Sequence, residues 1–211
     1  NFMSHLEHFK SFIKSVNDFH YVILRGYHEL PTPKGKYDLD ISFCPEDYNK
    51  IIDIAKMLEP GEEEDYGYAE WCDMKYFPHF TTSNDKGIRF RLDLYNSIFF
   101  LSPANNYTTN WTIPKDYFES IMENKRINDF YNVPSYQDEI VLTIMRAVLD
   151  RRGWKDKYRN LCSSLLTKVD KDLIIQSLKL ATLPDPDHIY YCLNTNKYTE
   201  IVTWEWYLKN L

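Results

Sequence analysis

Two short segments of the chain alternate polar and apolar residues with the period of two that is typical of β-strands. In residues 38–41 (DLDI), two aspartates alternate with Leu39 and Ile41. In residues 88–95 (IRFRLDLY), Phe90, Leu92 and Leu94 alternate with the polar residues Arg89, Arg91 and Asp93. Successive side chains of a strand point to opposite faces. We therefore predict two strands that each carry carboxylates on one face and apolar side chains on the other.

Apolar residues recur at helical spacing elsewhere in the first half of the chain. They predict one amphipathic helix over residues 4–16 and a second helix that begins with Pro45 at its first position. Between these helices, residues 19–24 (FHYVIL) predict a strand that ends in an Arg-Gly pair. The acidic run 62–65 predicts a solvated turn.

Helical patterns dominate the second half of the chain. Ser135 and Asp138 have the spacing of a capping box, which marks the beginning of a helix. The helix that opens there stops at Arg151-Arg152-Gly153, and further helices are predicted over residues 115–124, 157–168 and 171–181. The elements together predict an α/β protein of the α+β type. A mixed β-sheet flanked by helices would form a core over residues 1–110, and a C-terminal helical unit, residues 111–211, would pack on that core.

Composition narrows the classes of protein to consider. The chain has 211 residues, 44% of them hydrophobic, and a formal net charge of −6, which disfavours duplex nucleic acid as a partner. It contains no apolar run long enough to span a membrane and no signal-peptide pattern, so we expect an intracellular, cytoplasmic protein. The four cysteines lack CxxC spacing and are expected to be reduced structural thiols: Cys44, Cys72, Cys162 and Cys192.

The aspartates of the predicted strands need a counter-charge. Burial of an unpartnered carboxylate is costly, and two carboxylates on one face repel each other. Mg²⁺ and Mn²⁺ bind carboxylate oxygens readily. Asp38 and Asp40, joined by Asp93 from a neighbouring strand, can bracket one or two such ions. Ions held in this way bind phosphate oxygens and activate an attacking hydroxyl, which is the chemistry of phosphoryl and nucleotidyl transfer.

A purely structural role is the alternative for each acid. Asp38 would then lie at a frayed strand start, and Asp40 would accept hydrogen bonds from loop amides. Asp93 would form an ion pair with Arg89 or Arg91 on its own face of the strand.

The order of these motifs resembles a known superfamily. The motifs Leu24-Arg25-Gly26, Asp38-Leu39-Asp40-Ile41 and Leu92-Asp93-Leu94 are similar to the core of the DNA polymerase β-like nucleotidyltransferases, and closest to small members with an LR(G/N)Y…DxDI pattern. The resemblance covers roughly residues 19–95. It implies a nucleotidyltransferase-like mixed sheet, a Mg²⁺ or Mn²⁺ ion held by the three aspartates, and a phosphate-binding turn.

The turn departs from the superfamily pattern. The usual Gly-Ser pair, which contacts the nucleotide phosphates, is replaced here by Arg25-Gly26. Arg25 can bind phosphate bidentately, whereas Gly26 serves either that site or an ordinary turn. Lys34, Lys36 and Arg91 are further candidates for phosphate binding, and the alternative for the two lysines is a solvated loop. The departure leaves open whether the site is active.

The leading hypothesis is a metal-dependent nucleotidyltransferase that moves a nucleoside monophosphate from a nucleoside triphosphate to a hydroxyl of a small molecule, sugar or protein. The first alternative is a Mn²⁺-dependent glycosyltransferase that binds a UDP-sugar through the same Asp-x-Asp motif. The second alternative is a catalytically inactive nucleotide-binding module. Pyrophosphate as a product favours the first reading, and UDP favours the glycosyltransferase.

Overall fold

The computed structural model describes residues 5–29, 36–57, 62–65, 78–83, 89–102, 109–150 and 153–202. Its helices and its mixed and antiparallel sheets form an α+β fold, which confirms the predicted fold class. The chain divides into two compact units, Asn1–Ile98 with Lys125–Val133, and Phe99–Asn124 with Pro134–Leu211. The predicted boundary at residue 110 therefore differs from this division, because the first unit ends earlier and regains a later hairpin.

The first unit contains a five-stranded mixed sheet. Its strands are β1 (Tyr21–Arg25), β2 (Lys36–Phe43), β3 (Glu62–Asp65), β4 (Pro78–Ser83) and β5 (Arg89–Tyr95), in the spatial order β1-β2-β5-β4-β3. Strands β2 and β5 are parallel, and the other neighbouring pairs are antiparallel. The two strands predicted from alternation are thus direct neighbours in the sheet.

Helices α1 (His5–Val16) and α2 (Tyr48–Met57) supply the core that covers the apolar side chains of β2 and β5. Leu39 and Ile41 are fully buried in this core with apolar residues of both helices. Tyr48 of α2 also donates a hydrogen bond from its hydroxyl to the Leu94 carbonyl, at 3.0 Å, which ties the helix to β5. Because side chains alternate along a strand, Asp40 of β2 and Asp93 of β5 project from the opposite face.

A hairpin of strands β8 (Arg126–Asn128) and β9 (Tyr131–Val133) also belongs to the first unit. Strand β9 lies beside β1, and the backbone N–H of Asn132 donates to the Tyr21 hydroxyl at 3.3 Å. Arg126 donates to the Tyr27 hydroxyl at 3.1 Å.

The second unit is mainly helical. Among its described residues are the hairpin of β6 (Phe99–Ser102) and β7 (Thr109–Thr112) and, after it, the helices α3 (Lys115–Glu123), α4 (Tyr136–Met145), α5 (Asp156–Leu166), α6 (Lys171–Leu180) and α7 (Pro186–Asn194). Helix α4 continues into a π-helical turn, Arg146–Asp150. The predicted helix start at Ser135 is confirmed, since the Ser135 side chain accepts a hydrogen bond from the Asp138 backbone N–H at 3.2 Å, and its hydroxyl donates to Oδ2 of Asp138 at 2.6 Å.

Two expectations about local structure, at residues 45–47 and 62–65, are wrong. Residues 45–47 form a turn, closed by a 3.0 Å hydrogen bond from the Asp47 N–H to the Cys44 carbonyl, so α2 begins at Tyr48 and not at Pro45. The acidic run Glu62–Asp65 forms a strand at the edge of the sheet. Residues 99–112 contain a hairpin that belongs to the mainly helical unit.

Within the part of the chain that the structure describes, no helix combines the length and the apolar character needed to cross a membrane.

Candidate functional site

The register of two parallel strands brings Asp40 and Asp93 side by side. Asp40 on β2 is the direct partner of Asp93 on β5. Neighbouring strands lie about 4.8 Å apart, and residues in register project from the same face. Both aspartates are almost completely buried, with exposed fractions of 5% for Asp40 and 4% for Asp93. The structure thus brings together two of the three acids that the sequence singled out.

A β-bulge brings Arg25 to the same acids. In β1, Tyr21 and Ile23 pair with Phe43 and Ile41 on the core side of the sheet, but the register then shifts so that Arg25, and not Leu24, pairs with Asp40. Regular alternation would have directed Arg25 toward the core. Bulges are known to re-aim side chains in this way. As a result, the Arg25 Nε donates a hydrogen bond to Oδ2 of Asp40, and the two side chains form an ion pair.

Tyr95 is the fourth member of the cluster. It lies two residues after Asp93 on β5, hence on the same face, and its hydroxyl donates a 2.8 Å hydrogen bond to Oδ1 of Asp40. Burial, together with the negative charges of Asp40 and Asp93, raises the pKa of Tyr95 well above its usual value, although the nearby Arg25 acts in the opposite direction. Tyr95 therefore remains a neutral hydrogen-bond donor at physiological pH.

Asp40 consequently receives one donor on each of its oxygens. A carboxylate has about four lone-pair sites, so these two bonds leave acceptor capacity for a further ligand. The paired carboxylates of Asp40 and Asp93 are the type of oxygen donor that Mg²⁺ and Mn²⁺ prefer. The donor set therefore fits a hard divalent cation, with Arg25 as a competing positive charge at Asp40.

The other predicted site residues are described in part or not at all. Asp38 and Arg91 are direct partners on β2 and β5, one alternation before the Asp40 pair, and Lys36 opens β2 opposite Arg89. The side chains of Asp38, Lys36 and Arg91, like the whole of Lys34, lie outside the described residues. Their predicted contacts with metal and phosphate stay predictions.

Gly26 has a backbone requirement of its own. Its φ angle is 88°, in the left-handed region that residues with a Cβ rarely adopt. The glycine lets the chain turn directly after Arg25, from the end of β1 into the short 3₁₀ helix Tyr27–Glu29. This conformational demand accounts for the glycine and leaves its predicted contact with phosphate a prediction.

The structure differs in part from the structural role considered for Asp40, because its hydrogen-bond donors are side chains and not loop amides. Asp40 is held by the side chains of Arg25 and Tyr95, whereas loop amides had been the expected donors. Sequence reasoning missed Tyr95, although its position two residues from Asp93 was a usable signal. It proposed Arg25 as a phosphate ligand and overlooked its pairing with Asp40.

Neither a comparison with models of known protein families nor a search of curated proteins found a match. Function is therefore inferred from the geometry and chemistry of the cluster of Asp40, Asp93, Arg25 and Tyr95.

Proposed function

We propose that the protein is a divalent-metal-dependent nucleotidyltransferase. The reaction would transfer a nucleoside monophosphate from a nucleoside triphosphate to a hydroxyl group of a small molecule, a sugar or a protein. The observation that carries this proposal is the register pairing of Asp40 with Asp93 on adjacent parallel strands. Both acids are buried, so they act within a partly desolvated site where charge interactions are strong.

Asp40 and Asp93 are the residues that would hold Mg²⁺ or Mn²⁺, with Asp38 as the third ligand expected from its place on β2. The ion supplies neutralisation of phosphate charge and activation of the attacking hydroxyl when it is bound. In the transfer, a bond forms between the acceptor oxygen and the α-phosphorus, and the bond from that phosphorus to the oxygen bridging to the β-phosphorus breaks. Pyrophosphate leaves, and Asp93 accepts the proton of the acceptor hydroxyl.

Arg25 has two possible anionic partners in this scheme. Its ion pair with Asp40 leaves the Arg25 side chain 39% exposed, so the guanidinium lies at the margin of the buried acids. A guanidinium binds phosphate as well as carboxylate in bidentate fashion. We therefore propose that Arg25 passes from Asp40 to the phosphates of the nucleotide when the metal is bound.

Tyr95 holds Asp40 in place throughout. Its hydroxyl donates to Oδ1, and its raised pKa keeps that donor protonated. A fixed carboxylate orientation favours metal binding because the ligand does not have to be ordered at the moment of binding.

The same contacts favour a second candidate, a catalytically inactive nucleotide-binding module. Both oxygens of Asp40 already accept a hydrogen bond. If Arg25 remains on Asp40 when nucleotide is present, its positive charge opposes a divalent ion at this carboxylate, and the fold would then serve recognition only. The two candidates differ in whether nucleotide binding requires the metal.

The test is a product assay with the purified chain, Mn²⁺ or Mg²⁺, and each common nucleoside triphosphate or UDP-sugar. The nucleotidyltransferase proposal predicts metal-dependent release of pyrophosphate, whereas UDP from a UDP-sugar would indicate the glycosyltransferase. Asp40→Asn should abolish metal-dependent nucleotide binding with little loss of folding. Asp53→Asn is the matched control, because Asp53 is exposed on α2. Unchanged nucleotide affinity in Asp40→Asn would count against the site.

A further inference from the structure

Three side chains with nitrogen, sulfur and oxygen donors, two on α7 and one on the short 3₁₀ helix after it, lie close together. His188, Cys192 and Glu200 each offer one ligand atom, and these atoms lie within 4.8 Å of one another. The Cys192 Sγ is 3.4 Å from Nε2 of His188. The cluster lies in the second unit of the chain and shares no residue with the aspartates of the sheet.

The local fold explains why the three side chains meet. His188 and Cys192 are four residues apart on α7, so they lie on one face of the helix. The chain then reverses through Asn196, whose φ angle is 58°, and the N–H of Lys197 donates to the Cys192 carbonyl at 2.8 Å. This reversal carries the 3₁₀ helix Tyr198–Glu200 back toward α7 and brings Glu200 to the other two ligands.

The spacing suits a tetrahedral zinc ion. With Zn–S of about 2.3 Å, Zn–N of about 2.05 Å and a tetrahedral angle, the sulfur and nitrogen should be about 3.6 Å apart. The observed separation of 3.4 Å agrees with this value. Glu200 is exposed, so its side chain is free to adjust its carboxylate to the ion.

The donor types select against hard cations. Thiolate and imidazole are ligands that Zn²⁺ accepts and that Mg²⁺ and Ca²⁺ avoid. We propose that His188, Cys192 and Glu200 form a Zn²⁺ site, with water in the fourth position. Zinc sites with three protein ligands and one water are a recognised class.

Binding of zinc requires loss of the Cys192 thiol proton and release of Glu200 from Lys197. Burial, reinforced by the charges of Glu200 and Asp185 and opposed by Lys197, raises the pKa of the Cys192 thiol. Zinc therefore binds as the thiol loses its proton to solvent, and a Zn–S bond replaces the S–H bond. The Lys197 Nζ is 3.8 Å from Oε1 of Glu200, in an exposed pair that is easily broken.

The experiment is a titration of the full, reduced chain with Co²⁺, followed by displacement with Zn²⁺. A tetrahedral cobalt thiolate gives a sulfur-to-metal charge-transfer band that oxygen ligands cannot produce. We expect this band at one equivalent of Co²⁺ and its loss when Zn²⁺ is added. Asp93→Asn should keep the band, since the aspartates of the sheet contribute no sulfur, so the outcome is independent of the proposed nucleotidyltransferase activity.

Variants locate the site. Cys192→Ser should abolish the band, and His188→Ala and Glu200→Gln should each weaken Zn²⁺ binding by at least about tenfold, the lower end of what loss of even an outer partner of a metal site costs. Cys162→Ser is the matched control, because Cys162 is also buried in the same unit but is absent from the cluster. No band in the wild-type chain, or a band that survives in Cys192→Ser, would overturn the proposal. His188 and Glu200 are exposed, so their variants test the site even if Cys192→Ser fails to fold.

Discussion

Replacement of Arg25 by methionine separates the two roles proposed for the guanidinium. The substitution removes the positive charge beside Asp40, whose side chain is only 8% exposed. Loss of one partner from a fully buried ion pair costs about 3–5 kcal/mol. The Arg25 side chain is 39% exposed, so solvent screening reduces this cost, and Tyr95 still donates to Asp40. We expect the free energy of unfolding to fall by about 1–2 kcal/mol.

The charge interaction that stabilises the fold should oppose the binding of Mn²⁺ at Asp40 by a similar free energy. In the wild-type chain Mn²⁺ binds at Asp40 against the positive charge of Arg25, whereas in Arg25→Met this opposing charge is absent. A coupling of about 1–2 kcal/mol corresponds to Mn²⁺ binding that is about 5- to 30-fold tighter in the variant. Binding of a Mn²⁺-nucleoside triphosphate should nevertheless be weaker, because the phosphates have lost their guanidinium.

Urea unfolding measures the first quantity, and calorimetric titration with Mn²⁺, alone and with nucleotide, measures the other two. Lys50→Met is the matched control: it removes one positive charge from Lys50, whose side chain is 70% exposed and whose Nζ lies 4.0 Å from Oδ1 of Asp47. The control should change stability by less than about 0.5 kcal/mol and leave Mn²⁺ affinity unchanged. Unchanged or weaker Mn²⁺ binding in Arg25→Met would refute competition between the arginine and the metal.

Three further predictions concern single residues. Burial raises the pKa of Asp138, so the folded state holds this proton more tightly than the unfolded state. Asp138 therefore contributes less to the free energy of unfolding as pH rises from about 3.8 through the folded-state pKa. Urea unfolding at successive pH values should show a smaller decline in this free energy for Asp138→Asn than for the wild type, and an equal decline would contradict the prediction. Burial raises the pKa of the Cys162 thiol to about 12. Iodoacetamide at pH 8 should therefore label Cys162 only after unfolding, whereas it should label the partly exposed Cys44 in the native chain. Equal labelling of the two cysteines in the native chain would contradict this prediction. Gly26→Ala should lower the free energy of unfolding by about 1–2 kcal/mol because of the positive φ, and an unchanged urea midpoint would contradict that cost.

The faces of the two central strands follow from the sequence because strand geometry leaves little choice. With Leu39 and Ile41 in the core, Asp40 must project from the other face, and the same holds for Asp93 between Leu92 and Leu94. The structure also places the two strands side by side, with Asp40 opposite Asp93. This pairing joins segments more than 50 residues apart in the chain, and alternation within one strand does not predict it.

The direction of the Arg25 side chain could not be predicted from the sequence pattern. The bulge in β1 occurs at Leu24 and Arg25, without a glycine or proline inside the strand to signal it. A regular period of two would have placed Arg25 on the core side with Tyr21 and Ile23. The bulge thus determines which cation faces Asp40, and only the three-dimensional pairing reveals it.

The acidic strand β3 was missed for a different reason. Local β-propensity is low in Glu62–Asp65, yet pairing with β4 holds the segment in the sheet. Tertiary context therefore overrides the local preference that had indicated a turn.

The central claim is that buried aspartates on adjacent strands hold a divalent ion that binds a nucleotide. The most direct measurement is the affinity of the chain for ATP, CTP, GTP and UTP, determined by calorimetry with and without Mn²⁺ for the wild type, Asp93→Asn and the control Asp53→Asn. We predict that at least one triphosphate binds in a Mn²⁺-dependent manner to the wild type and the control, and at least about tenfold more weakly to Asp93→Asn. Nucleotide binding that is independent of Mn²⁺, or unaffected by Asp93→Asn, would contradict the claim.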